Sequence, residues 1–243
     1  MSSAASNRFA GVLFDKDGTL IDFHLTWGPA VYAVIHTLAA GDPALVKAQA
    51  EALQFSIDSK RFLDSSPLLA GSTADYGRRW AEALRRSDLD ALKSEIDALS
   101  ASESLRALTP IAEPLAVFST LSAMGLRLGV ATNDSEKSAR RQIEALRVAP
   151  YVEFVTGYDS GHGWKPDPGM VLAFAEFLGT PPSRIVVVGD SAHDLAAAKA
   201  AGALAVAVLS GPADRAALEP SADFVIEHIG GLPDLLERLG ETE

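Results

Sequence analysis

Two carboxylates two residues apart, Asp15 and Asp17, sit at the end of a short apolar run, inside Asp15-Lys16-Asp17-Gly18-Thr19-Leu20. Such a pair forms a hard anionic site; the plain alternative is an acidic turn closed by Gly18. Three further clusters carry complementary groups. Thr132-Asn133-Asp134 supplies a hydroxyl and backbone N–H groups at a helix start, an arrangement that binds anions. Lys165 brings a cation within Gly163-Trp164-Lys165-Pro166-Asp167-Pro168. Asp190 and Asp194 lie in Gly189-Asp190-Ser191-Ala192-His193-Asp194, where Asp194 is also placed to complete a helix cap with Ser191.

The elements between these clusters decide whether they can meet. Ala10 to Phe14, Leu126 to Ala131, Val152 to Thr156, Ile185 to Val188, Ala203 to Leu209 and Asp223 to Ile226 are short, nearly continuous apolar runs. Runs of that kind are strands covered on both faces. Helical patterns alternate with them: Ser135 caps one ending near Arg147, Asp167 with Pro168 starts another closed by Gly179, and Ser191 to Ala201 is a third ending at Gly202. Alternation of this type predicts a doubly wound parallel α/β sheet, and in such a sheet all four clusters meet at one carboxyl edge.

Between residues 22 and 107 strand-like runs give way to helical spacing. Trp27, Val31, Ile35 and Leu38 form one stripe, Leu89, Leu92, Ile96 and Leu99 another, and Ser72 followed by Asp75 opens a helix through Tyr76, Trp80 and Leu84. These stripes read as core packing, so the chain is expected to hold an α/β domain from residues 1–21 and 108–243, with a small all-helical domain from 22–107 inserted after the first strand.

Composition sets outer limits. The 243 residues are 48% hydrophobic and 22% charged, which suits a globular chain with a full core. A net charge of −11 with no basic run argues against nucleic acid and anionic lipid as partners. The absence of cysteine excludes disulfides, thiolate metal sites and thiol nucleophiles. The longest apolar stretch, around Gly202 to Leu209, is too short for a membrane span, and residues 1–8 lack the regions of a signal peptide, so a cytoplasmic location is expected.

Taken together, the four clusters resemble, in order, the motifs of the haloacid dehalogenase superfamily, and in particular its magnesium-dependent phosphatases with an aspartate nucleophile. The resemblance covers essentially the whole chain, and the helical insert looks like the cap of phosphoglycolate-phosphatase-like members. It implies a Rossmann-like core and hydrolysis of a small phosphate ester, with Asp15 attacking phosphorus and Asp17 as general acid and then base. Mg²⁺ would take Asp15, the Asp17 carbonyl, Asp190 and, directly or through water, Asp194. Thr132, with the N–H groups of Asn133 and Gly18, would hold phosphate oxygens, and Lys165 would balance charge on nucleophile and phosphoryl group.

The cap would set specificity, and His24, Trp27, Lys60, Arg61, Arg78 and Arg79 are its candidate contacts. Halide chemistry needs neither Asp17 nor Asp190. A phosphomutase would share every motif, and a phosphonate hydrolase would need a cap lysine, for which Lys47, Lys60 and Lys93 are available. A receiver-like module that accepts a phosphoryl group also combines Asp, Thr and Lys on a doubly wound sheet, but it has no helical insert after its first strand.

Overall fold

A computed structural model describes residues 8–63, 65–68 and 73–241 of the chain. By contacts it divides into two units, one running through Asp22 and resuming at Pro110, the other spanning Phe23–Thr109.

In chain order, strand β1 (Gly11–Phe14) leads into the second unit, which comprises α1 (Phe23–Ala39), α2 (Pro43–Leu53), β2 (Phe55–Ser56), β3 (Arg61–Phe62), α3 (Thr73–Ala83) and α4 (Leu89–Arg106). The first unit resumes with α5 (Pro114–Ala123), β4 (Arg127–Ala131), α6 (Glu136–Ala145), β5 (Val152–Thr156), α7 (Gly169–Leu178) and β6 (Ile185–Gly189). It ends with α8 (Ala192–Ala201), β7 (Leu204–Val208), α9 (Arg215–Leu218), β8 (Phe224–Ile226) and α10 (Leu232–Glu241). Six strands form one parallel sheet in the order β5-β4-β1-β6-β7-β8, as the alternating pattern predicts.

Burial on both faces explains the apolar runs. All four residues of β1 and all five of β6 are buried. On one face Leu13 and Val187 pack with Met170 and Phe174 of α7 and Leu195 of α8. Phe14 points the other way and stacks on Phe118 of α5, ring centroids 4.7 Å apart. The helix boundaries follow local chemistry. Ser135 accepts from the Ser138 N–H at the start of α6, and Gly179 and Gly202 take left-handed conformations at the ends of α7 and α8.

Two expectations shift. Helix α7 begins at Gly169 rather than Pro168, because the Asp167 N–H closes a turn onto the Trp164 carbonyl at 2.9 Å and Pro168 serves as the cap. The insert is also not wholly helical, since β2 and β3 pair antiparallel through Phe55–Phe62 and Ser56–Arg61. Two-residue strands are too short to show an alternating pattern. Their phenylalanines complete the insert's own core, with Val34, Ile35, Leu53, Trp80, Leu92 and Ile96. The Ser72 cap lies outside the described residues.

That core contains one buried polar relay. The Trp80 indole N–H donates to Gln49 Oε1 at 2.7 Å, and Gln49 Nε2 donates to the carbonyls of Ile35 and Leu45, each at 3.1 Å. An unmet buried donor costs about 1–3 kcal/mol. Gln49→Leu should therefore destabilise the chain by about that amount in urea unfolding, and adding Trp80→Phe should recover part of the loss. A double variant no better than Gln49→Leu alone would mean the relay does not stabilise the insert.

Candidate active site

Sheet register brings the separated motifs to one edge. Phe14 is paired with Val130 on one side and Val188 on the other, so Asp15 comes level with Ala131 and Gly189. One residue further along, the chains leave the sheet with Thr132 and Asp190. The Asp15 N–H donates to the Val188 carbonyl at 2.8 Å, and the Thr132 N–H to the Thr156 carbonyl at 3.0 Å, which holds both departures in place.

Lys165 arrives from the loop after β5. Its ammonium lies 2.5 Å from Asp15 Oδ1, 2.6 Å from Asp194 Oδ1 and 3.0 Å from the Ala131 carbonyl. One oxygen from each of Asp15, Asp190 and Asp194 can be chosen so that all lie within 4.8 Å of one another. All four side chains are buried. Three carboxylates thus share a buried space with the Lys165 ammonium. Burial pushes the Asp15 carboxyl up from 3.8 to about 7, with Asp194 and Asp17 adding to the rise and Lys165 opposing it. Asp190 is pushed well above the ordinary carboxylate range, first by burial and then by Asp15 and Asp194. Burial works against the charge of Lys165, yet the two aspartates outweigh it and hold the ammonium above its ordinary pKa. The surplus of buried negative charge and the all-oxygen donor set fit a hard divalent cation.

Several residues do more than their motifs suggest. Asp194 divides its oxygens: Oδ2 accepts from the N–H and hydroxyl of Ser191 at 3.1 and 2.6 Å, completing a capping box, while Oδ1 faces Lys165. The capping role of Asp194 therefore leaves its other oxygen facing the cluster. The Asn133 side chain grips the backbone of Lys165 at both ends, accepting from its N–H and donating to its carbonyl, each at 2.9 Å. Thr132 Oγ1 accepts from the Asp134 N–H at 3.0 Å.

Gly18 departs from its expected part as a phosphate donor. Its N–H is committed to the Ile21 carbonyl at 2.8 Å. What the position needs is the missing side chain, because φ is +81° and a Cβ there would overlap the Asp190 carboxylate. Gly211, after β7, meets the same carboxylate from another side and would overlap it likewise. The neighbouring Ser210 hydroxyl donates to the Gly18 carbonyl at 2.7 Å, and Thr19 Oγ1 reaches Asp190 Oδ1 at 3.3 Å.

Sequence reasoning missed Thr19, Ser210 and Gly211. A signal existed for the last two: Ser210-Gly211-Pro212 follows the apolar run Ala203 to Leu209, so it leaves the sheet at the same edge as the known motifs. It also passed over Lys16, which is wholly buried and pairs with Asp17 at 2.6 Å and Asp134 at 3.3 Å. Burial opposes the charge of Lys16, but the two carboxylates prevail and raise its pKa above the usual lysine value. Among the insert candidates, Lys60 lies over the Tyr32 ring at 4.4 Å and His24 tilts against Phe62 at 5.9 Å.

The model of the haloacid dehalogenase-like hydrolases matches residues 9–202. The chain belongs to that family of hydrolases. Among curated relatives, the phosphoglycolate phosphatase of Rhodospirillum rubrum is 31% identical over 95% of both chains. That of Escherichia coli strain K12 is 30% identical over 95% of this chain and 92% of its own. Among solved structures, a Thermotoga maritima protein provisionally described as a β-phosphoglucomutase superposes with a TM-score of 0.72 at 21% identity, covering 95% of this chain and all of that one. That likeness supports the haloacid dehalogenase-like fold of this hydrolase. Among the described residues, no helix is long and apolar enough to cross a membrane.

The raised carboxyls give the metal-free hydrolase a defined pH response. A carboxyl whose pKa is higher folded than unfolded weakens the fold above its folded pKa, and the penalty fades as pH falls towards the unfolded value. With divalent ions chelated, thermal stability should therefore rise as pH is lowered from 8 through about 7, the Asp15 value, towards 5. Asp15→Asn should flatten that rise, and Mg²⁺ should raise the melting temperature most at pH 8, where it competes with the fewest protons. A melting temperature indifferent to Mg²⁺ at pH 8 would count against a cation at this cluster.

Proposed function

We propose that this hydrolase is a Mg²⁺-dependent phosphatase of a small phosphorylated metabolite, working through an aspartyl-phosphate on Asp15, with the helical insert as its specificity cap. The observation that carries the reading is the buried grouping of Asp15, Lys165, Asp190 and Asp194 at the sheet edge, with Thr132 and Asn133 leaving the adjacent strand. Relatives named phosphoglycolate phosphatase, 31% identical over 95% of the chain, make phosphoglycolate the first ester to try.

Asp15 is the nucleophile, and Lys165, on its Oδ1, steadies the carboxylate against the burial that would protonate it. A carboxylate oxygen of Asp15 forms a bond to phosphorus while the ester P–O bond breaks. Asp17 gives its proton to the departing alkoxide, then takes one from the water that attacks the phosphorus of the aspartyl-phosphate. The acyl-phosphate P–O bond breaks, inorganic phosphate leaves and Asp15 is restored. The Thr132 hydroxyl and the Asn133 N–H hold phosphate oxygens, while the Asn133 side chain keeps the Lys165 loop in register. Asp15, Asp190 and Asp194, with the Asp17 carbonyl, would hold Mg²⁺, which when bound would supply positive charge against the carboxylates and the phosphate.

The test is phosphate release from a panel of monoesters that includes phosphoglycolate and sugar phosphates, with Mg²⁺ and with EDTA. Turnover should require the metal and fall to background in Asp15→Asn. Asp17→Asn should lose on the order of 10²- to 10⁴-fold, the usual contribution of general acid–base catalysis. Full activity in either variant would sink the mechanism, and no release from any ester would redirect attention to phosphoryl transfer between two sites of a bound sugar phosphate.

A further inference from the structure

We propose that Lys16 is a positioning residue for the proton-transferring Asp17, acting as a buried clamp between the loop after β1 and the loop after β4. The inference rests on the phosphatase reading above and adds a residue that no motif assigns.

The geometry is specific. Lys16 follows the last residue of an entirely buried strand by two positions, and its side chain is wholly inaccessible to solvent. Its ammonium donates to Asp17 Oδ2 at 2.6 Å and lies 3.3 Å from Asp134 Oδ2. Asp17 and Asp134 keep 21% and 26% of their side-chain surface exposed, so the ammonium is enclosed beneath two carboxylates that still reach the surface. An apolar side chain would fill this space without the cost of burying a charge, which makes a lysine here costly unless its pairing has a use. One consequence of the pairing is directional. With Oδ2 held by Lys16, the plane of the Asp17 carboxylate is set by a side chain that cannot itself swing into solvent. General acid catalysis depends on this placement, because the acid must lie within hydrogen-bond reach of the departing oxygen.

Asp134 explains why the clamp stays rigid. Its Oδ1 accepts from the Ser135 N–H at 2.7 Å and its own N–H donates to Thr132 Oγ1 at 3.0 Å, so it is fixed to the start of α6. Through Lys16 the orientation of Asp17 is thus tied to the loop that carries Thr132 and Asn133.

The deciding experiment compares two esters. An alkyl phosphate such as phosphoglycolate needs a proton on its leaving oxygen, whereas p-nitrophenyl phosphate releases a stabilised phenolate and does not. Since kcat/KM reports steps up to cleavage of the ester, Lys16→Met should lower it for the alkyl ester by on the order of 10- to 100-fold, part of what general acid catalysis supplies, while leaving the aryl ester within about threefold. In an Asp17→Asn background the same substitution should add no further loss on the alkyl ester, since the group it positions is gone. If Lys16→Met does not fold, Lys16→Met with Asp134→Asn removes the buried cation together with one counter-charge and carries the same comparison. Equal losses on both esters, no loss on either, or full additivity with Asp17→Asn would overturn the assignment. Wild-type protein that releases phosphate from no ester, these two or any other of the panel above, would overturn the phosphatase reading and the clamp with it, whereas wild-type turnover with an indifferent Lys16→Met overturns the clamp alone.

Discussion

Negative charge buried around a single ammonium is the constraint on which the rest of this structure depends. Asp15, Asp190 and Asp194 crowd into a buried space, and Lys165 neutralises only part of their charge. Coulomb repulsion at these distances is strong in a low-dielectric interior, and it adds to burial in raising the Asp15 and Asp190 carboxyls above their ordinary range. Such a site is unfavourable to the fold by itself and becomes favourable when positive charge enters. The same imbalance is what makes the donor set fit a hard cation.

Only a rigid frame can hold like charges together, and the parallel sheet provides one. Central strand β1 has β4 on one side and β6 on the other, so three motifs far apart in sequence leave the sheet within a residue of the same level. Helices packed on both faces lock that register. Close approach then depends on absent side chains, since Gly18 and Gly211 let backbone press against the Asp190 carboxylate from two sides. Asn133 adds the last restraint by binding the backbone of Lys165 with both ends of its amide.

The charged cluster and the structural hydrogen bonds share side chains. Asp194 caps α8 with one oxygen and faces Lys165 with the other, so the start of a helix and the position of a charged group are set by one side chain. Lys16 has a similar double character, stabilised by two carboxylates and in turn fixing where one of them points. The insert, by contrast, rests on its own apolar cluster and the Trp80–Gln49 relay.

Much of this was legible in the chain. The apolar runs marked all six strands of the sheet to within about a residue, most plainly the central β1 and β6, because strands buried on both faces admit little else. Asp15 and Asp190 stood out as carboxylates at the ends of such runs, and Lys165 and Asp194 through the motifs around them, Gly163-Trp164-Lys165-Pro166-Asp167-Pro168 and Gly189-Asp190-Ser191-Ala192-His193-Asp194. Tertiary structure decided the rest. It showed that Gly18 yields space instead of an N–H, that Asn133 grips the Lys165 loop through its side chain, that Gly211 and Thr19 meet Asp190, and that Ser210 binds the Gly18 carbonyl. It also turned Lys16 from an unremarked residue between two aspartates into a buried clamp. Sequence spacing records which groups leave the sheet at a common edge; which atom of each group meets which partner depends on distances across strands and loops, and those exist only once the chain has packed.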